Sequence, residues 1–331
     1  MFSLTVIAGT GERFSDFAPY VASVNDAGTV AFQAALQAGG TGVFTGSGGE
    51  VTEAAGPALL AGVTSHPDVN GAGDLSFYGE LPDSVEGVFL LRDELQTVAD
   101  TSGQFTSIGP LGPTMNEAGM VAFRADRAEG VSGIFAGDGA GVVTIADTEG
   151  PWARFHALPV INRKETVVFR ADRKDGVQGV YAGHQGSIRT VVETGDVFES
   201  LGLFPSANDS GTVAFAGTLR QGGSGVFTAD EDRITPLGDG SFEAYRGALI
   251  NDAGGVVLLA TPPGGSLGLF AGPDPEADRI LAIGDSLLDS TVEEFASNPV
   301  SVNAVGQVAV RAKLADGRQL ILRADPTVVR R

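Results

Sequence analysis

Cysteine is absent from this 331-residue chain, so no disulfide framework, thiol nucleophile or cysteine-ligated metal is available to it. That absence is compatible with either redox compartment. Positive charge is scarce: 21 Lys and Arg stand against 41 Asp and Glu, a formal charge of −20 that excludes the basic footprint of a nucleic-acid binder and favours solubility. No apolar run approaches the roughly 18 residues of a membrane span. A phosphate-binding Gly-Lys loop, a Gly-x-Ser-x-Gly elbow and a His-Glu-x-x-His helix are all missing. No long helical period appears either. The one helix-start signal, Ser290-Thr291-Val292-Glu293 ahead of Glu294 and Phe295, reads as a one-turn excursion inside an insertion.

What is present is a repeat. The stretch Val24-Asn25-Asp26-Ala27-Gly28-Thr29-Val30-Ala31-Phe32 recurs with variations, its Asn at Asn25, Asn70, Asn116, Asn162, Asn208, Asn251 and Asn303. Successive spacings of 45, 46, 46, 46, 43 and 52 residues fall where a four-stranded propeller blade is the expected unit. An Asn opening a tight turn can bond backbone two residues on, and a Gly three positions after it accepts positive φ. Gly28, Gly73, Gly119, Gly211, Gly254 and Gly306 comply. The fourth copy has Glu165, so that turn is expected to take another geometry or to carry strain. Runs such as Thr166-Val167-Val168-Phe169 follow, apolar on both faces, as a sheet packed between two neighbouring sheets requires.

Each repeat parses into a short inner strand (21–24 in the first copy), a second strand after the Asn turn, a third carrying Gly-Val-Phe (Gly42-Val43-Phe44) and a fourth (51–54). The seventh copy has no fourth strand after 319–322. The N-terminal run Leu4-Thr5-Val6-Ile7-Ala8-Gly9 resembles the fourth strands and is expected to complete that blade, which removes the open sheet edges. The expectation is an all-β, seven-bladed β-propeller occupying 1–331 as one domain. A stacked β-solenoid would leave the N-terminal strand unexplained. The N-terminus lacks a basic region and a cleavage site. The chain as written is therefore expected to be cytoplasmic, or secreted or surface-borne if a leader has been removed.

The Asn-x-x-Gly-x-Val-Ala-Phe unit resembles the bacterial NxxGxxAF tandem-repeat family of surface or secreted proteins, and 9–17 is similar to that family's inter-repeat segment. The resemblance covers nearly the whole chain and implies no activity.

In a propeller the Asn turns lie on one face, and the inter-blade connections surround the channel mouth on the other. Function is expected on those variable loops, including the insertion 284–299. Apolar pairs three apart recur there (Phe14/Phe17, Phe105/Ile108, Phe155/Leu158, Phe198/Leu201, Phe242/Tyr245) and read as anchors between sheets. Counting back from each Asn gives the expected rim: Tyr20, Ser65 with His66, Leu111, His156, Phe204, Tyr245 with Arg246, and Asn298. His66 and His156, two of three histidines, are candidate acid–base groups, against the plainer reading of hydrogen-bonded loop residues. Arg246 and Tyr245 are candidates to orient an anionic or carbonyl group. Tyr20, Trp152, Arg154, Phe204 and Asn298 are candidate ligand contacts, with Arg154 able to hold an anion or to pair with a carboxylate.

Nine of the 21 basic residues lie between Arg124 and Arg189, and the runs Arg124-Ala125-Asp126-Arg127 and Arg170-Ala171-Asp172-Arg173 read as internal ion pairs. Asp100, Asp147, Glu193, Asp196, Asp239 and Asp285 follow fourth strands; they read first as turn residues and only weakly as a calcium site, and no other cofactor is implied. With one Trp in the chain, a lectin with an aromatic platform in every blade is disfavoured. The expected function is a non-catalytic binding or scaffold propeller, holding a small-molecule or protein partner at the loop-face channel mouth. Its alternatives are an enzyme with one site at that mouth, and self-assembly through an exposed edge or the Arg163-Lys164 turn.

Overall fold

The repeated Asn turn and the β-periodic runs that follow it build seven sheets arranged as a ring, in a computed structural model that describes residues 1–231, 233–238 and 240–327. In blade 1 the strands Val30–Leu36, Thr41–Gly46 and Thr52–Ala55 run outward in order. The innermost line is split: Phe14–Asp16 pairs with the far end of Val30–Leu36, and Ser23–Val24 with its near end. The inner strand therefore begins well before the expected 21–24. In blade 4 it is the long strand Trp152–Ile161, carrying bulges. The seventh blade is ordered Ser290–Ala296, Val308–Leu314, Gln319–Pro326 and then Phe2–Gly9, the N-terminal strand pairing antiparallel with the C-terminal one. This is the expected ring closure.

The segment 290–296 is strand, not a helical turn. It forms a hairpin with Ser286–Leu287 and pairs with Val308–Leu314, and buried Val292 between exposed Thr291 and Glu293 suits a sheet edge better than a helix. The insertion ends in a 3-10 turn, Pro299–Ser301, capped by Asn298.

Packing follows from strands apolar on both faces. Each core cluster lies between adjacent blades: Ile7 and Ile321 of blade 7 meet Phe32 and Phe44 of blade 1, and Tyr78 and Val88 of blade 2 meet Phe123 and Phe135 of blade 3. The glycine of the Gly-x-Phe strand lies beneath the aromatic ring two residues on. A Cβ at Gly133 would come within 2.6 Å of the Phe135 ring, and one at Gly225 within 2.8 Å of Phe227. In blades 1, 3 and 5 an aromatic from the start of the inner line closes over that ring: Phe14 on Phe44 at 4.9 Å, Phe105 on Phe135 at 4.9 Å, Phe198 on Phe227 at 5.0 Å. In blade 4 this partner is Trp152, 4.4 Å from Tyr181, so the pair there is Trp152/Phe155 and not Phe155/Leu158.

The Asn does more than turn the chain. In all seven blades its Oδ1 accepts the backbone N–H four residues on, as from Thr29, Thr166 and Thr212. In six blades its Nδ2 donates to the backbone carbonyl of the next blade's Asn: Asn25 to Asn70, Asn116 to Asn162, Asn162 to Asn208, Asn208 to Asn251, Asn251 to Asn303, and Asn303 back to Asn25. These side chains are buried. Asn70 departs, turning its Nδ2 to its own Asp74. Glu165 keeps the turn geometry of its glycine counterparts, at φ 58°.

Asn208→Ala removes the inter-blade bond to the Asn251 carbonyl, leaves the Thr212 N–H without its partner and is expected to cost about 1–3 kcal/mol in urea unfolding. Asn70→Ala, which breaks no inter-blade bond, is expected to cost clearly less. Glu165→Gly, relieving a left-handed conformation at an exposed site, is expected to gain up to about 1 kcal/mol.

Candidate functional site

At the Asn-turn end the inner strands of all seven blades enclose a polar cavity of about 130 Å³. Its rim is acidic because the residue after the Asn is a carboxylate in four repeats. Each carboxylate accepts the corresponding N–H of the preceding blade: Asp26 from Ala304, Glu117 from Gly71, Asp209 from Arg163, and Asp252 from Asp209. Burial and the neighbouring Asp209 and Asp26 charges push the Asp252 carboxyl up, against the Asp209 N–H that holds it down. Arg163 also pairs with Asp209 at 2.8 Å, and Lys164 reaches the Ser210 carbonyl, so the basic turn is spent on the next blade. The recurring acid was readable in the sequence as a position, but its inter-blade bond was not.

One layer deeper, short polar side chains two residues before the Asn join neighbouring inner strands. Thr114 donates to the Pro159 carbonyl and accepts from the Ile161 N–H, Ser206 accepts from Ile250, and Ser301 donates to Ala22. In blade 2 this position is Asp68, buried, whose Oδ2 accepts the Met115 N–H at 2.7 Å. Burial pushes its carboxyl up to about 7, against the Met115 and Val69 N–H groups that favour the ionised form.

The loop-face end is closed by His66. Its ring is buried, its Nε2 lies 3.2 Å from Asn298 Nδ2, and it hydrogen-bonds the Leu111 backbone. A Cβ on Gly112 would strike the imidazole at 2.5 Å. Blades 2, 3 and 7 thus meet at one neutral imidazole, which burial pushes down to about 4. The Asn298 orientation is set by its Oδ1, which accepts from Val300.

The other expected rim residues divide. Trp152 is buried in the blade 4 core. Tyr20 is half-buried, and burial raises its phenol. Tyr245 packs on Phe242 at 5.6 Å with its hydroxyl against Gly238. Arg154, Arg246 and Phe204 are exposed. The structure joins His66 with Asn298. It joins His156 with two residues read at the outset only as ion-pair partners: His156 Nε2 is 2.7 Å from Asp172 Oδ2, while Asp172 Oδ1 takes Arg170 Nη1 at 2.8 Å. Burial opposes ionisation of Asp172, but those two partners hold its carboxyl below the usual range. Arg170 is itself buried and reaches Gln178. Beside them Arg124 of blade 3 donates to the Ala157 carbonyl.

Four of the six carboxylates after the fourth strands serve their own blades. Asp100 caps Ser102, Asp147 and Glu193 pair with Arg127 and Arg173, and Asp285 takes the Ala282 N–H. Asp239 lies outside the described residues. Among the described residues no three His, Asp or Glu side chains converge to hold a metal ion.

A family model described as a family of unknown function (DUF7453) matches residues 8–320. The chain belongs to this family. No curated protein matches the sequence. Solved structures with a similar fold include an oligogalacturonate lyase in complex with manganese, 11% identical over 99% of this chain and 96% of that one, with a TM-score of 0.62. A second oligogalacturonate lyase, from Vibrio parahaemolyticus, is 10% identical over the full length of both chains at 0.59. A puromycin-hydrolysing peptidase from Mycobacterium tuberculosis is 14% identical at 0.60 over 98% of this chain and 55% of its own. These likenesses carry the propeller fold and no further. Among the described residues, no helix is long and apolar enough to cross a membrane.

The two buried groups on the channel titrate in opposite senses. Asp68, raised from its ordinary 3.8 to about 7, costs stability increasingly as pH rises between those values. His66, lowered from 6.5 to about 4, costs stability increasingly as pH falls between them. They offset each other in the wild type. Asp68→Thr, which restores the residue type of blade 3, is expected to gain on the order of 2 kcal/mol at pH 8 and nothing near pH 4. Chemical denaturation across that range then shows an acid-side loss in the variant that the wild type masks.

Proposed function

We propose that this protein is a non-catalytic binding or scaffold propeller, acting as one domain over 1–331, that holds a small molecule or protein partner on the inter-blade loop face. One observation carries this reading: the loop-face connections carry exposed side chains of mixed character, Leu111, Leu203 and Phe204 as well as Arg154 and Arg246, while their most enclosed titratable group, His66, is locked neutral between blades. Such a rim suits recognition, since an acid–base centre needs its proton-transfer group accessible. The charge of −20 speaks against nucleic acid as the partner. The Asn-x-x-Gly-x-Val-Ala-Phe unit supports kinship with the NxxGxxAF repeats, a kinship that brings no activity with it.

A second reading rests on His156. An imidazole held by a carboxylate that is itself held by Arg170 is the arrangement of an oriented general base, and the similar folds include lyases and a peptidase. It would work from the loop face of blade 4, with Arg246 and Tyr245 on blade 6 orienting the substrate.

Thermal unfolding against a panel of sugars, organic acids, metal ions and metabolites separates the two. A ligand at about 100 times its Kd stabilises the wild type by about 2.7 kcal/mol. The binding reading expects that shift to shrink in His156→Ala/Arg246→Ala, with the ligand recovered unchanged after incubation. Consumption of the ligand, abolished by His156→Ala alone, overturns it in favour of the enzyme.

A further inference from the structure

The loop ends of blades 3 and 4 set several arginines along the two inner strand lines. Arg124, Arg154 and Arg170 gather there with two carboxylates, Asp126 and Asp172. Both carboxylates are already engaged. Asp126 accepts the hydroxyls of Ser107 and Ser132, and Asp172 holds His156 and Arg170.

What remains is a pair of guanidiniums without a carboxylate of their own. Arg124 is half-buried, and its one side-chain hydrogen bond goes to the Ala157 carbonyl at 3.3 Å. Its guanidinium faces Tyr78, Asp126 and the like charge of Arg154. Arg154 makes no hydrogen bond or ion pair among the described residues and is exposed. The ladder pairs Arg154 with Asp172, Phe155 with Ala171 and His156 with Arg170, so residues 154 and 156 share one face of the strand. Phe155 turns the other way, into the core against Phe169. Arg124 reaches the carbonyl one residue past His156. Two guanidiniums without an ion pair and one imidazole edge therefore border the same stretch of surface.

We propose that this stretch binds the oxyanion group, carboxylate or phosphate, of a small ligand, with Arg154 and Arg124 supplying the donors and His156 flanking them. The inference rests on the loop-face binding reading and names its ligand class. Guanidinium forks match planar oxyanions bidentately, and a bound anion removes the repulsion between Arg124 and Arg154. Both oxygens of Asp172 are taken by His156 and Arg170.

The test is calorimetric titration of the full chain with malonate, with inorganic phosphate and with neutral erythritol, at constant ionic strength. The wild type is expected to bind at least one of the two anions saturably, and not erythritol. Arg154→Gln, at an exposed and unpaired position, is expected to weaken that binding at least tenfold, while Arg189→Gln, exposed on the outer strand of blade 4, leaves it within twofold. Malonate against phosphate then tells which oxyanion is preferred. Saturable binding of neither anion overturns the proposal, as does equal weakening by Arg154→Gln and Arg189→Gln, which would mark diffuse charge attraction. If a neutral compound stabilises the protein while neither anion binds, this inference fails and the loop-face binding reading stands.

Discussion

Six buried asparagine side chains each donate to the backbone of the next blade, and much of the propeller's geometry follows from that reach. A buried amide has two donors and an acceptor to satisfy, and leaving either side unpaired costs more than the bond itself is worth. Here the acceptor is consumed inside the turn and a donor crosses the gap. The turn and the blade-to-blade distance are thereby coupled: a blade that rotates or slips leaves a buried group unpaired in both. Apolar packing between blades supplies most of the burial, but it is non-directional and tolerates sliding. The asparagine belt, backed by carboxylates in the second turn position and by Thr114, Ser206 and Ser301 one layer in, sets the register.

This organisation divides the channel into two ends of different character. The Asn-turn end is rimmed by Asp26, Glu117, Asp209 and Asp252, each tied to a neighbouring N–H, so its acidity is largely a by-product of holding blades together. The other end is closed by His66 and Asn298 and surrounded by connections of unequal length. There the side chains are free of the repeat's constraint. The departures from repetition, His156 with Asp172 and the open arginines of blades 3 and 4, are on that side, as expected when a rigid frame carries variable loops.

Much of this was legible in the chain. The Asn spacing led to seven blades, the run Leu4–Gly9 to the closing strand, and the Gly-x-Phe motif to the third strands, because each of these is a local rule repeated many times. The Ser290 to Glu293 segment was misread since a capping pattern and an edge strand share residue types, and tertiary pairing with Val308–Leu314 decided between them. The pairing in blade 4 was displaced by three residues because Trp152 stands where other blades have Phe. The roles of the site residues were least legible. Nothing local distinguishes His66, which is locked between three blades, from His156, which is partly buried beside Asp172. Nor can a sequence show that Asn25 bonds to Asn70 and not only to its own turn. Contacts across the ring depend on the closure of all seven blades, which no single repeat encodes.

The most direct test of the account is native-state hydrogen exchange at the backbone amides that the asparagine Oδ1 atoms accept, resolved for each blade. If the belt couples the blades, the amides of Thr29, Met120, Thr166, Thr212, Gly255 and Gln307 should exchange together through one large opening. Asp74, whose turn belongs to Asn70 and donates to no neighbour, should open before them. Independent exchange of each turn at its own low free energy, with Asp74 no faster than the rest, would contradict the claim that these side chains hold the ring.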